Sequence, residues 1–413
     1  MRRPEILRDS NFRRFYVGQL VSLLGDQASV LAIPLTAVLV LDAGPMQLGI
    51  LTAVGILPSL FFSLWAGAVI DRRGRRRQTM LTADVIRAIA ILSLPVAYLA
   101  GHLTGTHLYV VAFVVGTFDV AFAVAYQALL VAMVPRKDYL AANSLLNGTR
   151  SLAEVVGLAL GGALISLLTA PVALVLNAVS FVVSGTQLVR IHPAEPPGDT
   201  STSGGVAGGM TWIRGSPVVR TLLLWTGTTN LFAFIGNALL VLYASQTLEL
   251  SPTIIGLVFG AGAVGGVIGA ATCSRVERRV GLGRAVLIAA FILPAAMLLY
   301  PAARGNTLTA ALLLGAGEFL AAMAALWLDI SIGAVFAQQI PDQLRSRVAG
   351  ASRSINHGIR PLGALLGGFL GAHLGLRNAL VISAVGAFGG ALLLLRPTIT
   401  TLKLHREPAP LNG

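Results

Sequence analysis

Charge is scarce in this sequence: Asp, Glu, Lys and Arg make up 11% of 413 residues, while 55% are hydrophobic. Soluble domains carry roughly 25% charge, and so small a share could not cover a water-exposed surface around this much apolar content. A soluble fold is set aside, and a bilayer takes the place of water around most of the chain. Cysteine is nearly missing too. Cys273 stands alone, so no intramolecular disulfide and no cysteine-rich metal site is available. The six histidines show no H-E-x-x-H spacing, and neither a serine-nucleophile motif nor a G-x-x-x-x-G-K-[ST] phosphate loop occurs. An enzyme, a resident metal and a cofactor are therefore not expected.

What is present is a series of long apolar runs. Twelve are read, at 15–41, 47–70, 79–100, 107–133, 148–169, 171–190, 218–245, 253–273, 284–303, 308–336, 354–374 and 376–396. Membrane barrels alternate over about ten residues, whereas these runs are continuous and about twice that long, so the expected class is an all-α membrane protein. The first run is too long and too spotted with polar residues for a removable signal peptide. The G-x-G-x-x-G at Gly260, Gly262 and Gly265 falls inside such a run, where it serves helix packing.

The net charge of +13 would suggest nucleic acid in a soluble protein, but placement decides otherwise. Basic residues crowd alternate loops: Arg2, Arg3, Arg8, Arg13 and Arg14 before run 1, five arginines from Arg72 to Arg77, then Arg136 with Lys137. The second half repeats this with Arg275, Arg278, Arg279, Arg284, Arg345 and Arg347, while the opposite loops offer Arg304 and Arg377. By the positive-inside rule both termini are expected in the cytoplasm, in an inner or plasma membrane, with the bilayer and no nucleic acid as partner.

A stretch rich in Pro, Gly and Ser, His192 to Met210, parts the runs six and six. The expected division is a bundle at 1–191, a cytoplasmic linker at 192–216 and a second bundle at 217–413. Shifting the chain by 206 residues lays Pro135 on Pro341, Gly157 on Gly363, and Gly161 and Gly162 on Gly367 and Gly368. The same shift lays Asp71, Arg72 and Arg73 on Glu277, Arg278 and Arg279. Two bundles of common design are implied, as internal repeats imply in transporters.

Between runs 2 and 3 stands GAVIDRRGRRR, with Gly67, Asp71, Arg72, Gly74, Arg75 and Arg76 in a fixed order. There the chain resembles the major facilitator superfamily, whose signature loop has this spacing and place. The resemblance implies twelve helices in two pseudo-symmetric six-helix bundles. It also implies a cytoplasmic latch in which Asp71 meets the end of run 11, Arg72 and the second copy at Glu277 supporting it. In span 5, GLALGG keeps the glycines of the family's antiporter motif but has Leu158 in place of its proline, and span 4 lacks an arginine carried by many drug–proton antiporters. The glycines are read as helix packing. The Gly25–Asp26 step, with Asp84 and Arg87, resembles the efflux branch that includes siderophore and macrolide exporters.

Polar residues within the runs are the informative ones, since an ionised carboxylate at mid-bilayer costs roughly 2.5 to 3.5 kcal/mol on insertion scales. Gln19, Ser22, Asp26 and Ser29 share one helical face in run 1. Run 4 aligns Asp119, Phe122 and Tyr126, run 7 aligns Thr226, Asn230 and Asn237, and run 10 carries Glu318 and Asp329 about three turns apart. These runs line the central cavity in the family resembled. The expectation is that Asp26, Asp119, Glu318 and Asp329 share a wet cavity and, with Glu154, couple protons or another cation to transport, with Tyr126, Phe122, Phe234 and Trp327 as aromatic wall. Alternatively, some of these carboxylates pair with Arg150, Arg353 or Arg360 to hold helices together. Asp84 and Arg87 are read as an intrahelical ion pair. Glu154 and Arg360 are equivalent under the shift and suggest charge pairing across the axis.

The leading expectation is a monomeric secondary transporter exporting an amphipathic small molecule by proton antiport. Proton-coupled uptake of a polar nutrient stays open, as does, more remotely, a non-transporting scaffold or sensor.

Overall fold

In a computed structural model of the chain, residues 5–192, 206–341 and 344–395 are described, without the side chains at 5, 63–69, 71–73, 206–209 and 345–347. All regular structure among them is helical. Six helices form the first half: α1 (Ser10–Val40), α2 (Pro45–Arg73), α3 (Arg76–Leu99), α4 (Gly105–Met133), α5 (Tyr139–Leu168) and α6 (Ala170–Val189). The connector contributes α7 (Val206–Gly215), a short helix against the later α13 (Arg345–Leu374). The second half holds α8 (Pro217–Leu242), α9 (Pro252–Val280), α10 (Leu282–Met297), its short continuation α11 (Leu299–Ala302), α12 (Thr307–Gln339), α13 and α14 (Leu376–Ala391).

The helix starts follow from local chemistry. Asp9 caps α1 by accepting from the Phe12 N–H at 2.7 Å, and Asn306 caps α12 by accepting from Thr309 at 2.8 Å. Prolines open α2, α8 and α9, where the missing N–H has no intrahelical partner to lose. Gly74 ends α2 at φ 62°, a conformation that costs glycine little, and its N–H caps Ile70 at 3.0 Å. Among the described residues, eleven helices are long and apolar enough to cross a bilayer. α13 matches them in length, but Arg353, His357 and Arg360 leave it too polar for that class, and it lies against α2 and α8.

The polarity of α3 shows which solvent the fold expects. Val85, Ile89, Leu92, Val96 and Leu99 form an exposed apolar stripe, while Asp84 and Arg87 are buried on the other side. That arrangement is inside-out for water and right for lipid. The chain is a multi-pass membrane protein.

Helices α1 to α6 pack chiefly among themselves, as do α8 to α14, and the main bridges between halves are α2 with α13 and α5 with α9. The 206-residue repeat explains those bridges. Gly157 and Gly161 of α5 seat α1 at Gln27 and Ala28, whereas Gly162 meets Gly256 of α9. Their counterparts Gly363 and Gly367 seat α8 at Leu231 and Ile235, whereas Gly368 meets Gly49 of α2. Each half thus offers two glycines inward and one to the other half.

These crossings belong to one end of the molecule. A single apolar core there joins both halves, with Leu35, Leu48, Ile165, Val241, Ile255 and Leu380 among its members. At the opposite end, which holds the arginine-rich α2–α3 loop and is called the basic end below, the cores are separate. Phe15, Met80, Leu129 and Leu146 belong to the first half, and Leu222, Val286 and Leu328 to the second. The molecule is closed at the far end and divided at the basic end.

A side chain at either crossing glycine would collide with backbone, and overpacking of this kind costs about 1 to 3 kcal/mol. Gly162→Leu and Gly368→Leu should therefore open the far end. A cysteine at Asn237 would then react faster with a membrane-impermeant maleimide, whereas Gly148→Leu, which has open space around it, would leave the rate unchanged.

Candidate functional site

A cavity of about 950 Å³ lies between the halves, reached from the basic end. Gln19, Ser22, Asp26 and Ser29 line it from α1, so the stripe read from spacing is one wall. Asp119, Phe122, Tyr126 and Gln127 of α4 form another, with Asn143, Asn147 and Arg150 of α5 and Asn177 of α6. The second half contributes Arg353 of α13.

At its inner wall, Arg87 of α3 is 3% exposed and holds two carboxylates: Asp84 on its own helix, and Asp119 of α4 at 2.5 Å. The guanidinium also lies over the rings of Phe122 (4.4 Å) and Phe181 (4.3 Å). Asp84 is buried at 1% exposure, but Asp119 is 51% exposed and faces the cavity. Asp26 lies within electrostatic reach of all three charges. Gly25 beside it admits α6: a Cβ there would strike Ser180 and Asn177. Asn177 in turn donates to Ser29 at 2.6 Å and accepts from Ser180 at 3.0 Å.

Other expected site residues lie elsewhere. Glu318 does not share this cavity; with Glu154, Gln27 and Ser151 it lines a pocket of about 350 Å³ along the α5–α9 crossing, and it accepts from Tyr300 at 2.7 Å. Asp329 is exposed on α12, outside that cavity wall, with Arg360 as its charged neighbour. Equal helical face did not mean equal surroundings, because the 33-residue α12 meets different helices at the two depths. Trp327 turns its indole N–H to Thr272 of α9 at 3.0 Å and serves helix packing. Asn230 donates to Asn356 of α13 at 3.1 Å, and Phe234 lies under Arg360 at 5.3 Å. Asn237 lines a separate pocket of about 380 Å³ toward the far end, which also touches Asp119. Among the described residues Glu154 and Arg360 form no ion pair.

Of the latch residues, the side chains of Gly67, Asp71 and Arg72 lie outside the described residues. Gly74 makes the turn, Arg75 and Arg76 open α3, and Arg77 donates to the Ile191 carbonyl at 2.5 Å. In the second copy, Glu277 accepts from Ser331 at 2.6 Å and ties α9 to α12. Sequence reasoning overlooked Asn177 and Ser180. Their spacing with Ser184 and Gln187 is the same polar stripe as in α1, and would have revealed the buried face of α6.

Breaking one member of a buried ion pair costs about 3 to 5 kcal/mol, whereas replacing the pair by apolar groups is often neutral. Arg87→Gln should thus lower the thermal midpoint of the purified protein steeply, Arg87→Met with Asp84→Leu should recover most of it, and Asp119→Asn, half exposed, should cost least.

The comparisons with known proteins agree with this architecture. The Major Facilitator Superfamily profile matches residues 15–319 and 224–411. The multidrug efflux pump Tap of Mycolicibacterium fortuitum is 26% identical over 397 residues, 93% of this chain and 95% of that protein. Tap of Mycobacterium tuberculosis (strain ATCC 25618 / H37Rv) is 27% identical over 406 residues, 93% of each chain. Among solved structures, a bacterial homologue of the iron transporter ferroportin in an inward-facing state superposes with a TM-score of 0.74 at 20% identity, over 95% of this chain and 98% of that one. The nucleoside transporter NupG gives 0.74 at 11% identity, over 94% and 99%. With the profile covering nearly the whole length, this chain belongs to the Major Facilitator Superfamily.

Proposed function

We propose that the protein is a secondary active transporter that exports an amphipathic small molecule in exchange for protons, by alternating access. The observation that carries this reading is the 950 Å³ cavity with Asp26 and the Arg87-bound Asp119 in its wall. Members of the family are transporters and not enzymes, and relatives of modest identity are named multidrug efflux pumps. The basic end is assigned to the cytoplasm on the positive-inside rule, which puts both termini there and the cavity open inward, in the inner membrane of a bacterium. The bundles at 1–191 and 217–413 rock about the glycine crossings, joined by the connector at 192–216. Each monomer carries a complete cavity.

Coupling follows from competition for the carboxylates. Proton uptake by Asp119 discharges it and loosens Arg87, which keeps Asp84. Proton uptake by Asp26 removes the second charge. Cargo with a cationic or hydrogen-bond-donating group, arriving from the cytoplasm, takes these acceptors as the protons leave inward. After reorientation the carboxylates are protonated from outside and the cargo departs. Each proton moving inward gains about 2.3 kcal/mol per 100 mV, so the cycle runs without ATP. Glu154 and Glu318 at the α5–α9 crossing are a second place where a proton could be held as the halves move.

Reconstituted in liposomes under an imposed pH gradient, the wild type should accumulate an efflux-pump dye. Asp26→Asn and Asp119→Asn should each lose accumulation by at least tenfold while keeping gradient-independent dye exchange. If accumulation in all variants ignores the gradient, proton antiport is wrong.

A further inference from the structure

The cavity mouth carries a feature that proton exchange does not use. Arg150 of α5 and Arg353 of α13 line one cavity from opposite halves, and among the described residues neither has an ion-pair partner. The acids of that cavity wall are Asp26 and Asp119, the latter held by Arg87. Glu154, one turn beyond Arg150 and within its electrostatic reach, lines the other pocket, and His357 stands one turn beyond Arg353 on α13. By helix rise, Arg150 and Arg353 lie about 16 Å and 12 Å from the basic ends of their helices, against about 24 Å for Asp26. The carboxylates of the wall are deep and these two guanidiniums shallow. Asn143 and Asn147, two turns and one turn before Arg150, line the wall on the same face and add amide donors.

We infer that Arg150 and Arg353 form an anion clamp, so that the cargo carries a carboxylate or phosphate toward the cytoplasm as well as the group that reaches Asp26. This rests on the transporter reading above and narrows its substrate class to zwitterionic or anionic amphipaths. Two guanidiniums on opposite halves repel one another as the basic end closes, because like charges are then brought together in a drying gap. An anion between them reverses the sign: each planar fork can donate two parallel N–H groups to one carboxylate or phosphate. Empty protein is thereby held open to the cytoplasm, and an anionic cargo is what permits closure. An anionic lipid headgroup has the same chemistry and is the other source to distinguish.

The test uses the full chain in nanodiscs and two matched probes, dansylglycine with a carboxylate and neutral dansylamide, titrated by fluorescence. Spin labels at Leu140→Cys and Gln339→Cys, exposed positions of opposite halves at the basic end, report closure; Cys273 is buried and escapes labelling. In phosphatidylcholine discs dansylglycine should bind at least tenfold more tightly than dansylamide and shorten the label distance. Arg150→Gln and Arg353→Gln should each weaken it by about tenfold, and lysine at both positions, which keeps the charge without the fork, should restore only part of the difference. Shortening in phosphatidylglycerol discs without probe, lost in the glutamine variants, supports the clamp and assigns the anion to lipid. Equal binding of the two probes to wild-type protein, with the label distance unchanged in both disc types, overturns the inference. The binding half of that comparison uses the wild-type chain alone. Gradient-driven accumulation of dansylamide in liposomes would then still uphold the transporter reading.

Discussion

A buried arginine among three carboxylates is the constraint around which this protein is arranged. Charges are costly inside a bilayer unless paired or wet, and Arg87 meets both conditions at once. Its bond to Asp84 is sealed in the protein, while its bond to Asp119 reaches water through the cavity. That asymmetry makes one side of the arginine structural and the other exchangeable. The rest of the first half serves it: Gly25 brings α1 against α6, Asn177 and Ser180 satisfy the polar groups at that seam, and Phe122 and Phe181 cover the guanidinium faces.

On the proposed transport cycle, the second half supplies motion more than chemistry. Its glycines repeat those of the first, and the two crossings at Gly162 with Gly256 and Gly49 with Gly368 let backbones touch where no side chain intervenes. Helices that meet through glycine can pivot without unlocking interdigitated side chains. The shared apolar core lies at the far end and separate cores lie at the basic end, so the far end is shut while the basic end is open. On the proposed transport cycle, that exclusivity couples the acidic wall to only one compartment at a time.

Much of the fold was legible because the bilayer imposes long apolar runs, and the Gly74 turn and glycine repeat fixed how two halves would be related. The site was legible only where chemistry and periodicity lay on one helix. The α1 stripe and the Asp84–Arg87 pair could be read that way, since three residues on a helix are neighbours by geometry. The bond from Arg87 to Asp119 could not, because no spacing rule links side chains 32 positions apart on two helices. Glu318 shows the opposite failure. Its face was correct in the abstract, but Tyr300 and the α5–α9 pocket, not the central cavity, receive it. The polarity of α13 is a third case: hydropathy understates a span whose Arg353 turns to the cavity and whose Arg360 lies over Phe234 of α8.

The central claim is that Asp26 and Asp119 trade protons for cargo. Proton release on adding an efflux-pump dye to purified protein in weakly buffered solution measures that trade directly. The expected result is stoichiometric release from the wild type, reduced in either Asp→Asn variant and absent when both are replaced. Dye binding with no protons released by the wild type, or undiminished release from the double variant, would contradict it.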